Sequence, residues 1–122
     1  MVLSLQGKKI LVTGATGAIG GAIARAAREA GAWVMGSYVR NEAKARELEA
    51  SGIVTAWADL TSRADAARLV SHAIEQAGML DGLVYAAGNT RDHTLLKLTD
   101  PEWDEVIKLH LDGLMACCRA AL

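Results

Sequence analysis

Gly14, Gly17 and Gly20 fall between a short aliphatic run and an alanine-rich stretch in KKILVTGATGAIG, residues 8–20. Glycines at this spacing let a chain turn sharply and pass close to an anion, because no Cβ stands in the way. A helix that starts straight after such a turn points its free N–H groups, and the positive end of its dipole, at that anion. The expected contacts are the backbone of Gly14, Thr16, Gly17, Ala18, Ile19 and Gly20. A purely structural turn would use the same glycines. Context separates the two readings: the run Ile10, Leu11, Val12 suits a strand buried on both faces, and a helix follows the turn. The turn is therefore expected to bind a phosphate or a dinucleotide.

A second stretch bears on which dinucleotide. Gly36-Ser37-Tyr38-Val39-Arg40-Asn41 carries no acid until Glu42. A carboxylate at the end of such a strand would bond the ribose 2′-hydroxyl of NAD and repel a 2′-phosphate. Arg40 can instead pair bidentately with a phosphate, and Ser37 can donate a further hydrogen bond. NADP is thus favoured over NAD, against the plainer reading of Arg40 as a solvated charge opening a polar helix. Other reactive residue types have ordinary explanations. His110 is expected as a satisfied, half-buried histidine, His72 as a surface residue and His93 as a loop residue. Cys117 and Cys118 read as small apolar packing residues, and Trp33 and Trp57 as side chains packed against helices.

The elements that must position these residues alternate. Strands are predicted at 8–13, 32–38, 53–58 and 82–87, and helices at 18–30, 41–50, 62–77 and 100–121. The third helix has the clearest period, with Ala66, Leu69, Val70, Ala73, Ile74 and Ala77 on one face. The second has only Ala45 and Leu48 as apolar marks. The fourth opens with Thr99 as N-cap and Glu102 three residues on, a capping box, with Pro101 in its first turn. Trp103, Val106, Ile107, His110, Leu111, Leu114 and Cys118 then suggest a broad apolar stripe. Strand–helix alternation with tight joints means a parallel sheet, right-handed crossovers and a single α/β domain over residues 1–122.

Composition narrows the function classes. Apolar residues make up 52%, charged residues 22%, and the formal net charge is −1. Near-neutrality argues against a nucleic-acid groove or a polybasic membrane anchor. No apolar run approaches the roughly 20 residues of a membrane span, and MVLSLQGKKI is too short in apolar residues for a signal peptide. Two adjacent cysteines offer neither an intramolecular disulfide nor a metal site. The expected compartment is the cytoplasm.

The chain resembles the N-terminal half of a short-chain dehydrogenase/reductase, similar to the 3-oxoacyl-acyl-carrier-protein reductase branch, from Lys8 to Leu122. Four features carry the resemblance: the glycine turn, Asp59-Leu60, Ala86-Ala87-Gly88, and TRDHTLLKLTDPEWDEVIKLHLDG at residues 90–113. It implies a Rossmann-like three-layer α/β/α fold with strand order 3-2-1-4, truncated after the fourth helix. It further implies pyrophosphate at the glycine turn, adenine near Asp59, for which capping of the third helix is the alternative, and ribose and nicotinamide beside residues 86–88. With strand 82–87 at an edge, a homo-oligomer through that strand, through helix 100–121, or both, is expected.

Several positions depart from the family pattern. The turn reads TGxxGxxG, with Gly17 and Ala18 where that branch has its TGxxxGxG spacing. Tyr85 and Ala86 replace two asparagines, and His110 aligns with a relay asparagine. The family's serine and Tyr-x-x-x-Lys do not occur: Tyr38 is followed four residues on by Glu42, Tyr85 by Asn89, and the last serine is Ser71. Two functions are therefore expected for these residues. One is the cofactor-binding half of an oxidoreductase, inactive alone; the other is a non-catalytic dinucleotide-binding or assembly module.

Overall fold

A computed structural model describes residues 4–89 and 93–122; Thr90, Arg91 and Asp92 of the 90–113 stretch lie outside the described residues. Four parallel strands, β1 (Lys9–Thr13), β2 (Trp33–Tyr38), β3 (Val54–Trp57) and β4 (Gly82–Tyr85), form one sheet in the order β3-β2-β1-β4. Helices α1 (Ala18–Glu29), α2 (Glu42–Ala50) and α3 (Arg63–Ala77) connect them. After β4 come α4 (Asp100–Ile107), a π-helical segment Lys108–Asp112 and α5 (Gly113–Ala121). The three-layer fold and its strand order are those implied by the sequence. The predicted strands and first three helices differ only at their ends, where turn and cap residues such as Asn41 and Ser62 flank the helices.

Alternation along the central strands builds two cores. Leu11 and Met35 point to the α3/α5 face, where Leu69, Val70, Ala73 and Cys117 meet them. Val12 and Val34 point to the opposite face, against Ala24, Ala27, Leu48 and Ile53. Each fully buried aliphatic side chain contributes about 1.5–3 kcal/mol from lost water contact. The third helix buries Ala66, Leu69, Val70 and Ala73 as its period predicts. Two close approaches need glycine. A Cβ on Gly36 would lie 2.7 Å from the Ala15 Cβ, and one on Gly113 would strike the Leu60 carbonyl and the Tyr85 hydroxyl.

The fourth predicted helix requires correction. It is not one α-helix over 100–121, because the π segment interrupts it. A π turn admits one extra residue per turn, so the faces beyond it are rotated by roughly 100° against an unbroken α-helical count. The expected stripe faces outward over much of its length, ahead of the π segment at Trp103 as well as within and beyond it. Trp103 is 55% exposed, Leu111 57% exposed and Leu114 37% exposed, while Gly113, Ala116 and Cys117 are buried. Cys117 packs as expected; Cys118 is exposed and does not. Burial pushes the Cys117 thiol up to about 11, with Cys118 adding to the effect. Trp33 packs against the core, whereas Trp57 is 56% exposed, its indole N–H donating to the Val39 carbonyl at 3.2 Å. No helix among the described residues is long and apolar enough to cross a membrane.

Candidate functional site

All four parallel strands end on the same side, and a cleft of about 350 Å³ opens there. Such a crevice at the carboxyl ends of a parallel sheet, where strand order reverses about β1, is where open α/β sheets bind ligands. One wall is the glycine turn. Gly14 has φ +66°, and a Cβ there would lie 2.7 Å from the Ala87 Cα. A side chain at Gly20 would collide with the Gly14 carbonyl. The Gly17 N–H donates to that carbonyl at 3.1 Å and closes the turn.

Helix α1 begins at Gly17 with extended geometry and no side-chain cap, and its first turn holds no acid. By contrast α2 is capped by Asn41, α3 by Ser62, and α4 by the Thr99/Glu102 capping box. The N–H groups of Ala18, Ile19 and Gly20 therefore open at a helix end with no side-chain acceptor of their own. Gly14, Thr16 and Gly17 line the cleft; Ala18 and Ile19 are exposed on the helix start beside it, and Gly20 is buried beneath.

The turn is held from both sides. The Ser37 hydroxyl accepts from the Gly14 N–H at 3.3 Å, and the Ser37 carbonyl accepts from the Ala15 N–H at 2.9 Å. Ser37 borders the cleft but is only 1% exposed, so its hydroxyl braces the turn from below. Thr13, fully buried, accepts from the N–H groups of Ala86 and Ala87 at 3.1 and 3.2 Å. That one hydroxyl fastens the end of β1 to the end of β4. Arg40 is exposed at the cleft rim, and its carbonyl accepts from the Thr16 hydroxyl at 3.4 Å.

Asp59 and Leu60 lie on the third wall. Capping of α3 falls to Ser62, not Asp59, because the Ser62 side chain accepts from the Asp65 N–H at 3.2 Å. Asp59 instead accepts from the Thr61 N–H at 3.1 Å and the Thr61 hydroxyl at 2.7 Å, which fixes its carboxylate at the cleft.

The far wall contains residues that the sequence did not single out. Glu105 and Leu109 reach the cleft from α4 and the π segment, beside Gly88 and Asn89. The Asn89 amide donates to Glu105 Oε1 at 3.2 Å. His110 is exposed and not half-buried; its Nε2 lies 2.8 Å from the Asn89 carbonyl, and its ring covers Gly88. His72 is half-buried away from the cleft, and His93 pairs with Glu102 at 2.7 Å. The Tyr85 hydroxyl donates to the Leu109 carbonyl, inside the segment where the wider turn displaces backbone carbonyls. Burial, with Cys117 nearby, pushes the Tyr85 phenol up, so it stays a protonated donor. No local pattern marks Glu105: in an unbroken α-helix it would stand about 140° around from His110.

Known proteins match this arrangement. Residues 8–122 match the family described as short chain dehydrogenase. The 3-oxoacyl-acyl-carrier-protein reductase FabG of Staphylococcus aureus is 34% identical over 120 residues, 93% of this chain and 49% of that protein. The protein of the same name from Pseudomonas aeruginosa is 34% identical over 128 residues, 98% of this chain and 51% of that protein. Among solved structures, a short chain dehydrogenase from Burkholderia cenocepacia in complex with NADP superposes with a TM-score of 0.87 at 32% identity, covering 96% of this chain and 50% of that one. The chain spans about half the length of the curated relatives it matches. It belongs to the short chain dehydrogenase family.

Proposed function

Proceeding from that membership, we propose that this chain is the NAD(P)(H)-binding portion of an oxidoreductase acting on ketone and alcohol groups, 3-oxoacyl groups among them. The observation that carries the reading is the glycine turn feeding an uncapped α1 at the mouth of the cleft. Gly14 and Gly20 let the turn pack directly on Ala87 and α1 on the Gly14 carbonyl, a tight backbone loop with no side chain at either position, which fits a group bound by backbone N–H groups. The N–H groups of Ala18 and Ile19 would take the pyrophosphate oxygens. Asp59 and Leu60 would border the adenine, and Ala86, Ala87 and Gly88 the ribose and nicotinamide side. NADP is favoured, because Arg40 stands free at the rim and no acid lies between Gly36 and Asn41. When bound, the nicotinamide supplies hydride; these residues hold it and orient it.

Residues 1–122 contain no Tyr-x-x-x-Lys and no serine after Ser71. The chain by itself is therefore proposed to bind without turnover. NADPH fluorescence titration run beside a ketone-reduction assay tests both parts. Binding without turnover is expected; turnover would overturn the inactivity, and absent binding the whole reading. Arg40→Ala should weaken NADPH about tenfold and leave NADH unchanged.

Association with a second copy belongs to the same proposal. Among the described residues β4 pairs with β1 alone, and Leu111 and Leu114 are exposed on the adjoining helical face. Light scattering should show a dimer or larger species; a monomer at high concentration would contradict it.

A further inference from the structure

Where β2 turns into α2, the carbonyls of Tyr38, Val39 and Arg40 are each held from another segment. The Tyr38 carbonyl accepts from the Ala58 N–H at 3.1 Å. The Val39 carbonyl accepts from the Trp57 indole N–H at 3.2 Å, and the Arg40 carbonyl from the Thr16 hydroxyl at 3.4 Å. Asn41 then takes a left-handed conformation, φ +64°, and its side chain opens α2 by accepting from the Lys44 N–H. These bonds bear directly on Arg40. Each carbonyl lies in a rigid peptide plane, and the planes that carry the Val39 and Arg40 carbonyls meet at the Arg40 Cα. Their orientations fix its φ and ψ, and with them the direction in which its side chain leaves the backbone. Thr16 holds one plane from the glycine turn, and Trp57 holds the other from the edge strand β3.

Core packing does not account for Trp57, whose side chain is mostly exposed. It closes β3 and pairs in register with Tyr38, so its indole reaches one residue further, to Val39. We infer that Trp57 is a positioning residue for recognition of the cofactor's 2′-phosphate: its N–H holds the Val39 carbonyl so that Arg40 is aimed before the cofactor arrives. Trp57 lies outside the cleft lining, whereas Val39 and Arg40 are part of it, so it acts through them. An arginine whose backbone is already fixed loses less conformational freedom on binding, and the difference appears as affinity. NAD has a hydroxyl in place of the phosphate and gains nothing from the aim. The device therefore selects between the two dinucleotides. The inference rests on the NADP reading above and adds to it a residue from outside the cleft.

The test titrates NADPH and NADH against the parent chain, Trp57→Phe, Arg40→Ala and the double variant. Phenylalanine keeps an aromatic ring and removes the donor. NADPH affinity should fall about fivefold in Trp57→Phe, the worth of one hydrogen bond, while NADH affinity stays unchanged. In the Arg40→Ala background the same substitution should alter neither affinity, because the two residues act as one unit. Equal loss for both ligands, no loss for NADPH, or the same loss in the Arg40→Ala background would each overturn the positioning role. If the parent chain binds NADPH and NADH equally well, Arg40 grips no phosphate; the inference then falls and the dinucleotide site stands. If it binds neither, the dinucleotide reading fails and the inference with it. Urea unfolding of Trp57→Phe should stay close to that of the parent, because the indole is mostly exposed. A marked loss of stability would make Trp57 a support of the fold and overturn the inference.

Discussion

Helix α1 follows the central strand β1 and α4 follows the edge strand β4, yet their first turns are finished in opposite ways. At α4, the Thr99 side chain accepts from the Glu102 N–H while Glu102 bonds back to Thr99, so the helix end is closed by its own residues. At α1, Gly17 offers no side chain and no acid stands in the first turn. A glycine N-cap forgoes only about a few tenths of a kcal/mol against a capping side chain, so the open end costs little. α2, α3 and α4 are capped by side chains and α1 is not. Under the proposed function that contrast gives stability to one helix end and phosphate binding to the other.

The sharpest way to break the open end is Gly20→Ala. Its Cβ would strike the Gly14 carbonyl, which is backbone and cannot swing aside. Loss of NADPH binding and about 3 kcal/mol of destabilisation are expected, measured by titration and urea unfolding. Gly17→Asp should separate the two roles. An aspartate caps α1 and places a negative charge where phosphate would sit. NADPH affinity should drop about a hundredfold, while urea stability moves by no more than about 0.5 kcal/mol, because glycine and aspartate differ little as N-caps. A large stability loss with intact binding would reverse the assignment.

Thr13→Val tests what braces the open end. It removes the acceptor for the Ala86 and Ala87 N–H groups and should cost about 1–3 kcal/mol in chemical unfolding. At the closed end, Thr99→Ala should cost about 1 kcal/mol and leave NADPH affinity unchanged. The smallest effect is a pH dependence. The Thr99 hydrogen bonds hold the Glu102 carboxyl below its ordinary value, with His93 assisting. A depressed carboxyl contributes stability that is present above its unfolded value, about 4.5, and lost as pH falls through the folded one. The melting temperature should therefore decline less steeply below that pH in Glu102→Gln than in the parent chain.

Much of this was legible in the residues. Ile10, Leu11 and Val12 announced a buried strand, the Ala66–Ala73 period announced α3, and Thr99 with Glu102 announced a cap; all three are local patterns. The α4–π–α5 region was legible only in part. Its cap obeys a local rule, but its buried face depends on where the helix register shifts, in a segment whose Leu109 carbonyl accepts from Tyr85 of β4, a contact no local pattern reveals. The site divides in the same way. That Gly14, Thr16 and Gly17 line the cleft could be anticipated because a glycine turn between a strand and a helix has a sequence pattern. Asn89 and Glu105 were missed because their pairing joins residues sixteen positions apart across a loop.

The sequence by itself determined the alternation of strands and helices, the parallel sheet and the glycine turn between β1 and α1, since each follows from residue types a few positions apart. Only the tertiary structure decided which face of the last helix is buried, that Ser37 braces the turn from beneath, that Ser62 and not Asp59 caps α3, and that Asn89 and Glu105 meet at the far wall. Those outcomes depend on contacts between distant segments, whose geometry exists only once the sheet has brought the strand ends together.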